Sequence, residues 1–136
     1  MPPKATIAIH NLNRARDLER CFPSVLAQTY RPMEVLFLDA GSQDDSLEVV
    51  EEFIPRFKDY DIEFILHKCE PAGVAASRNL AAGIATGDIV LFLDNDATLD
   101  TDDCVAEAMS RFAATPSLAV LSCRVMKEDT SELDPF

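Results

Sequence analysis

Long apolar runs are missing from this chain. Nothing in it approaches the roughly 20 consecutive apolar residues that crossing a bilayer takes, and the start, Met1-Pro2-Pro3-Lys4, lacks the apolar core of a signal peptide. Cys-x-x-Cys pairs are missing as well. Cys21, Cys69, Cys104 and Cys123 are scattered, which argues against a zinc site and fits reduced, mostly buried thiols of a cytoplasmic protein. Positive charge is scarce: 12 basic residues stand against 24 acidic ones, for a net charge of −12. A nucleic-acid backbone demands the opposite balance. An anionic ligand would need a metal ion, helix N-termini or a few placed cations. There is no low-complexity tract, internal repeat or interdomain linker. A length of 136 residues with 48% hydrophobic content then gives one globular domain.

The most informative stretch runs from Gly87 to Asp96. Ile89 to Leu93 are all apolar and lead into Asp94-Asn95-Asp96. Such a run predicts a strand buried on both faces. Its end places two carboxylates where a parallel sheet opens its ligand crevice. Paired carboxylates on a rigid strand end suit a hard dication, Mg2+ or Mn2+. Capping and turn formation are the competing uses of Asp and Asn.

Around it, strands and helices alternate. Strands are predicted at Ala5 to His10, Glu34 to Asp39, Ile62 to Leu66 and Leu118 to Cys123. Helices are predicted after Asn13 as a cap, with Pro23 bending the first, and from a capping box at Asp45-Ser46-Leu47-Glu48 to about Phe57. Two more are predicted from about Val74 to Ala85 and from a cap at Thr101-Asp102-Asp103 to about Ala114. One strand every twenty-five to thirty residues is roughly the length of a βαβ unit. The predicted class is α/β: a Rossmann-like, mostly parallel sheet with helices on both faces. The domain spans 1–126, followed by a loose tail over 127–136.

His10, Asn11, Asp39, Asp94 and Asp96 all fall at the C-terminal edge of that sheet. Asp39 directly follows Phe37-Leu38, and its carboxylate could accept hydrogen bonds from a nucleobase imide or a ribose hydroxyl. Asp44 and Asp45 are better explained as helix caps. Arg78 sits among Ala75, Ala76, Ser77, Ala81 and Ala82. There it could grip a diphosphate bidentately or equally pair with one of the many acids. His10 and His67 are more often satisfied strand-end side chains than ligands, and no cysteine has the partners of a nucleophile.

In order and spacing, Ile9-His10-Asn11-Leu12-Asn13-Arg14, Ser24 to Tyr30, Leu38 to Asp44, Gly73 to Asn79 and Gly87 to Asp96 resemble the nucleotide-sugar-binding half of a family 2 glycosyltransferase of the GT-A fold. The resemblance runs from about Thr6 to Val125. It implies that His10, Asn11, Asp39, Arg78 and Asp94 contact a nucleotide-diphosphate sugar, with uracil the usual base and Asp39 its contact. It implies that Asp96, with Asp94, ligates the Mn2+ or Mg2+ that bridges the diphosphate. The implied reaction is inverting transfer of a sugar to a hydroxyl acceptor. His10-Asn11-Leu12-Asn13 stands where the family often has Pro-Thr-Tyr-Asn, and Ala40 where it often has a second acid.

The family's base and acceptor site lie further along. Glu128, Asp129, Glu132 and Asp134 follow the metal motif too closely to be that base. The expectation is therefore a donor half that binds a nucleotide diphosphate weakly with a dication and transfers nothing alone. A sheet cut short would also self-associate through an edge near Leu118 to Cys123. The alternatives are a non-catalytic nucleotide-binding or interaction domain, a receiver-like module, and a nucleotidyltransferase, which would want glycine after the first strand.

Overall fold

The computed structural model describes residues 1–127. Four strands form one parallel sheet: β1 (Ala5–Asn11), β2 (Met33–Asp39), β3 (Ile62–Lys68) and β4 (Ile89–Phe92), in the order β3-β2-β1-β4. Between them run α1 (Ala15–Leu26), α2 (Ser46–Asp59) and α3 (Gly73–Ile84), and α4 (Cys104–Ala114) follows. This is the α/β, Rossmann-like arrangement that the alternation predicts.

The pleat explains the two faces. In β1, Ala5, Ile7 and Ile9 point one way and Ala8 the other; in β2, Met33, Val35 and Phe37 oppose Leu36 and Leu38. The first face packs on α1, α2 and α4 around Phe22, whose ring lies 5.3 to 5.8 Å from those of Phe37, Phe53, Phe57 and Phe64. Among the described residues the second face packs on α3, through Ala81. Helices therefore cover both faces.

The chain goes outward from β1 to β2 and β3, then returns past β1 to β4. The order reverses between β1 and β4, and open parallel sheets bind ligands at the carboxyl ends of such a pair. All four strands are parallel, so Asn11, Asp39 and the turn after Phe92 share that edge.

Several expectations need correction. Leu118 to Cys123 forms no strand; Val120 is 80% exposed. Strand propensity of an apolar run is realised only against a neighbour, and β4 pairs with β1 alone among the described residues. The edge is therefore β4, not residues 118–123. Nor is β4 buried on both faces: it is four residues long and half-buried, with Phe92 45% exposed. The inner strands are β1 and β2.

Asn13 does not cap α1. It takes a positive φ of 54°, and its side chain accepts a hydrogen bond from the Gln43 amide. Asp44 caps instead: its carboxylate accepts from the Ala15 amide at the start of α1 and from the Ser46 amide and hydroxyl at the start of α2. The capping box at Asp45 does not form. The N-cap of α4 is Asp103, whose carboxylate takes the Thr101 hydroxyl rather than a helix amide. Pro23 lies inside α1, which runs through it. The tail expected over 127–136 lies, from residue 128 on, outside the described residues.

Candidate functional site

Two layers build the site, a buried scaffold and a cavity above it. The scaffold starts at Asn11 and Asp39, paired residues at the ends of β1 and β2 that are 0% and 1% exposed. Asn11 Nδ2 donates to Asp39 Oδ1 at 3.2 Å and to Ser42 Oγ at 3.1 Å. Asp39 also accepts from the amides of Gly41 (3.2 Å) and Ser42 (2.9 Å) and from the Ser42 hydroxyl (2.6 Å). A carboxylate offers about four lone-pair sites, and internal donors fill these. Asp39 therefore organises the loop after β2, where Gly41 turns with φ 88°. Glycine takes this left-handed conformation at no steric cost.

The scaffold reaches the acidic motif through its middle residue. Asn95 Nδ2 donates to Asn11 Oδ1 at 2.9 Å. The Ala97 amide closes a turn onto the Asp94 carbonyl at 3.0 Å. With Asn95 drawn inward, its neighbours Asp94 and Asp96 both face out as exposed carboxylates. They line a cavity of about 350 Å³ with His10, Ser77, Arg78 and Phe92. Asn11 and Asp39 are not among its lining residues; they hold the motif from beneath.

In the cavity, Arg78 Nη2 donates to Asp94 Oδ1 at 3.1 Å. Its Cζ also lies 5.7 Å from the centre of the Phe92 ring. The pairing with an acid and the place beside the ligand crevice thus belong to one residue. His10 Nε2 is buried with no hydrogen-bond partner among the described residues. Such an atom loses water without compensation, at a cost of about 1–3 kcal/mol.

Asp94 and Asp96 are the residues that could hold a hard dication. No group of three or more His, Cys, Asp or Glu gathers as a metal cluster among the described residues. Two carboxylates with the remaining positions left to water and phosphate oxygens is the usual way Mg2+ is bound, so this donor set fits such an ion. Behind the motif, burial pushes the Cys21 thiol up to about 12, and the charges of Asp96, Asp17 and Asp94 add to the effect. That thiol stays protonated.

One clamp was not foreseen. Gln28, just past α1 and 1% exposed, donates to the carbonyls of Ser24 (3.1 Å) and Thr101 (2.7 Å) and accepts from the Val105 amide at 3.0 Å. Together with the Ser24 hydroxyl, which accepts from the Leu99 amide, it fixes the segment after Asp96 onto α1. Its signals in the sequence were its place at the end of the apolar side of a helix and within the segment Ser24 to Tyr30 that carries the resemblance.

The comparisons agree with this architecture. The sequence profile of Glycosyl transferase family 2 matches residues 6–135. A glucosyl-dolichyl phosphate glucuronosyltransferase of Haloferax volcanii is 30% identical over 104 residues, 75% of this chain and 31% of its own. A glycosyltransferase of Nostoc is 39% identical over 93 residues, 68% of this chain and 28% of its own. A solved mannosyltransferase of Pyrobaculum calidifontis, in complex with GDP-Man and Mn2+, superposes with a TM-score of 0.72. It is 28% identical, over 83% of this chain and 33% of its own. The fold is thus that of the GT-A glycosyltransferases, and the chain spans about a third of the length of these relatives. No described helix is long and apolar enough to cross a membrane. Sheet order, acidic turn and profile together place the chain in glycosyl transferase family 2.

Proposed function

We propose that the protein transfers a sugar, with inversion, from a nucleotide-diphosphate sugar to a hydroxyl acceptor, and that residues 1–126 supply the donor and metal side. One observation carries this reading: His10, Arg78, Asp94 and Asp96 meet in one cavity at the carboxyl edge, beside the reversal of strand order. The mannosyltransferase relative with GDP-Man and Mn2+ supports it.

In this reading Asp94 and Asp96 hold Mn2+ or Mg2+. When bound, that ion offsets the negative charge that builds on a departing diphosphate. Arg78 binds the diphosphate oxygens, and its planar fork suits two of them at once. His10 contributes part of the cavity wall against which the donor would lie. Asn11 and Asp39 act from below, by fixing Asn95 and the loop after β2, so the nucleoside meets that loop rather than the filled Asp39 carboxylate. We assign no described residue to deprotonation of the acceptor. The proposed donor is a uridine diphosphate sugar.

Calorimetric titration of the chain with UDP in the presence of Mn2+ tests the reading, with GDP as comparator. Heat of binding that disappears in Asp96→Ala, with the circular dichroism of the fold retained, is the expected result. A folded chain giving no heat, or unchanged heat in the variant, would count against it. Self-association is proposed through the outer edge of β4; light scattering showing a clean monomer at high concentration would refute that part alone.

A further inference from the structure

The geometry points to a second duty for Arg78: it is a latch on the cation site, resting on Asp94 in the free chain and moved off when cation and diphosphate bind together. This inference rests on the reading of Asp94 and Asp96 as cation ligands. The two carboxylates are in different states. Asp94 Oδ1 is engaged by Arg78 Nη2 at 3.1 Å. Asp96 makes no hydrogen bond or ion pair with any described residue. An arriving dication finds one ligand ready and the other occupied.

The latch is held by a second contact. The guanidinium lies 5.7 Å from the ring centre of Phe92, the last residue of β4. Phe92 keeps Arg78 over the strand end. Both partners of the ion pair are open to water, with side-chain exposures of 49% and 67%. Exposed pairs of this kind shift an equilibrium by about one and a half to five-fold. That is weak enough to yield to a dication, whose attraction for the carboxylate is greater, and strong enough to measure.

Once released, the guanidinium remains on the wall of the same cavity, where its five donors can take phosphate oxygens. By linkage, whatever cation binding does for the diphosphate, the diphosphate does equally for the cation. Arg78 would thus make the two ligands favour each other, and a cation alone would bind less tightly than its carboxylates allow.

Nuclear magnetic resonance of the full chain during a Mg2+ titration tests this directly. The Arg78 Nε–Hε signal, identified by its loss in Arg78→Gln, should move toward its position in Asp94→Asn while the Asp96 carboxylate carbon also shifts. Arg78→Gln should bind Mg2+ alone about one and a half to five-fold more tightly, and the gain in Mg2+ affinity that UDP brings should be smaller than in the unaltered chain by a similar factor. Simple through-space repulsion would tighten Mg2+ without moving the Arg78 signal to its Asp94→Asn position. If Asp96 responds to Mg2+ while the Arg78 signal stays put, or if the gain from UDP in Arg78→Gln is undiminished from that of the unaltered chain, the latch is overturned and the cation site stands. If neither signal moves in a folded chain, the cation site falls and the latch with it.

Discussion

Glu34→Gln offers the sharpest test of how this sheet is held, and it acts far from the cavity. Glu34 is the second residue of β2 and fully buried. Its carboxylate pairs with Lys4 Nζ at 2.5 Å and accepts from the Thr6 hydroxyl (2.6 Å), the Thr86 amide (2.9 Å) and the Thr86 hydroxyl (2.5 Å). Burial alone would raise its pKa. The hydrogen bonds from Lys4, Thr6 and Thr86 outweigh burial and bring it down from 4.5 to about 2. At 1.36 kcal/mol per tenfold change, that depression corresponds to about 3 kcal/mol favouring the folded state.

The sign follows from linkage. A carboxyl whose folded pKa is depressed contributes its stability in full above its unfolded pKa and loses it as pH falls through the folded one. The window here runs from about pH 5 down to about pH 2. Urea unfolding of the unaltered chain and of Glu34→Gln, measured at steps between pH 7 and pH 2.5, isolates the effect, because all other carboxyls cancel in the difference. The expected difference is about 3 kcal/mol at pH 7, shrinking to under about 1 kcal/mol near pH 2.5. A difference that stays level across the range would refute the reasoning. The consequence reaches the site, because Thr86 and Gly87 lead into β4. The Gly87 amide donates to the Thr6 hydroxyl, which itself donates to Glu34. Loosening this knot frees the entry of the strand that carries Asp94 and Asp96.

Gly87→Ala tests the same corner sterically: a Cβ there would sit 2.5 Å from Thr6 Oγ1, 2.8 Å from the Thr6 amide nitrogen and 2.9 Å from the Lys4 carbonyl. Backbone cannot swing aside, so a loss of roughly 1–3 kcal/mol in urea unfolding is expected; an unchanged midpoint would contradict the geometry. Gln28→Ala strands the Val105 amide and two carbonyls, at a cost of about 2–3 kcal/mol. Faster hydrogen exchange at Val105 than at the middle of β1 would confirm the clamp, and equal protection would remove it. Cys21 should resist iodoacetamide at pH 8 until the chain unfolds, since its thiol is held protonated up to about 12. Exposed Cys123 should react at once, and native labelling of Cys21 in peptide mass spectra would disprove the buried placement.

The fold was legible because its signals are periodic and local. Apolar runs of Ala5 to His10, Glu34 to Asp39 and Ile62 to Leu66 become β1, β2 and β3, and the small-residue stretch after Gly73 becomes α3. Leu118 to Cys123 carries an equally good run and forms no strand. What differs is that this run is not laid against a strand of the sheet, a placement that composition does not encode. Of the expected caps, Asp44 forms and Asn13 and Asp45 do not, for a related reason. Asn13, Asp44 and Asp45 have similar capping chemistry, and the choice among them falls to the loop in which Asn13 bonds Gln43 and Asp44 reaches both Ala15 and Ser46.

For the site, residue type located the edge but not the direction of each side chain. Asp39 was marked because a carboxylate after Phe37-Leu38 needs a reason to be there. The reason is internal: one donor at the end of β1 and three in the loop after β2 saturate it. Asn95 stands between two acids in the sequence, and its bond to Asn11 turns both of them toward the cavity. Arg78 looked like a choice between an ion pair and a phosphate contact. It makes an ion pair with Asp94 itself, at the wall of the cavity, so the pairing does not exclude a phosphate contact in the proposed latch. In each case the hydrogen-bonding capacity of the group was evident from the sequence, while the share already spent on neighbours was set by contacts across dozens of residues, such as Asn11 with Asn95. A polar group is open to a ligand in proportion to what the fold leaves unspent. By that measure Asp96 is the most available carboxylate of the cavity, while Asp39 beneath it is already filled.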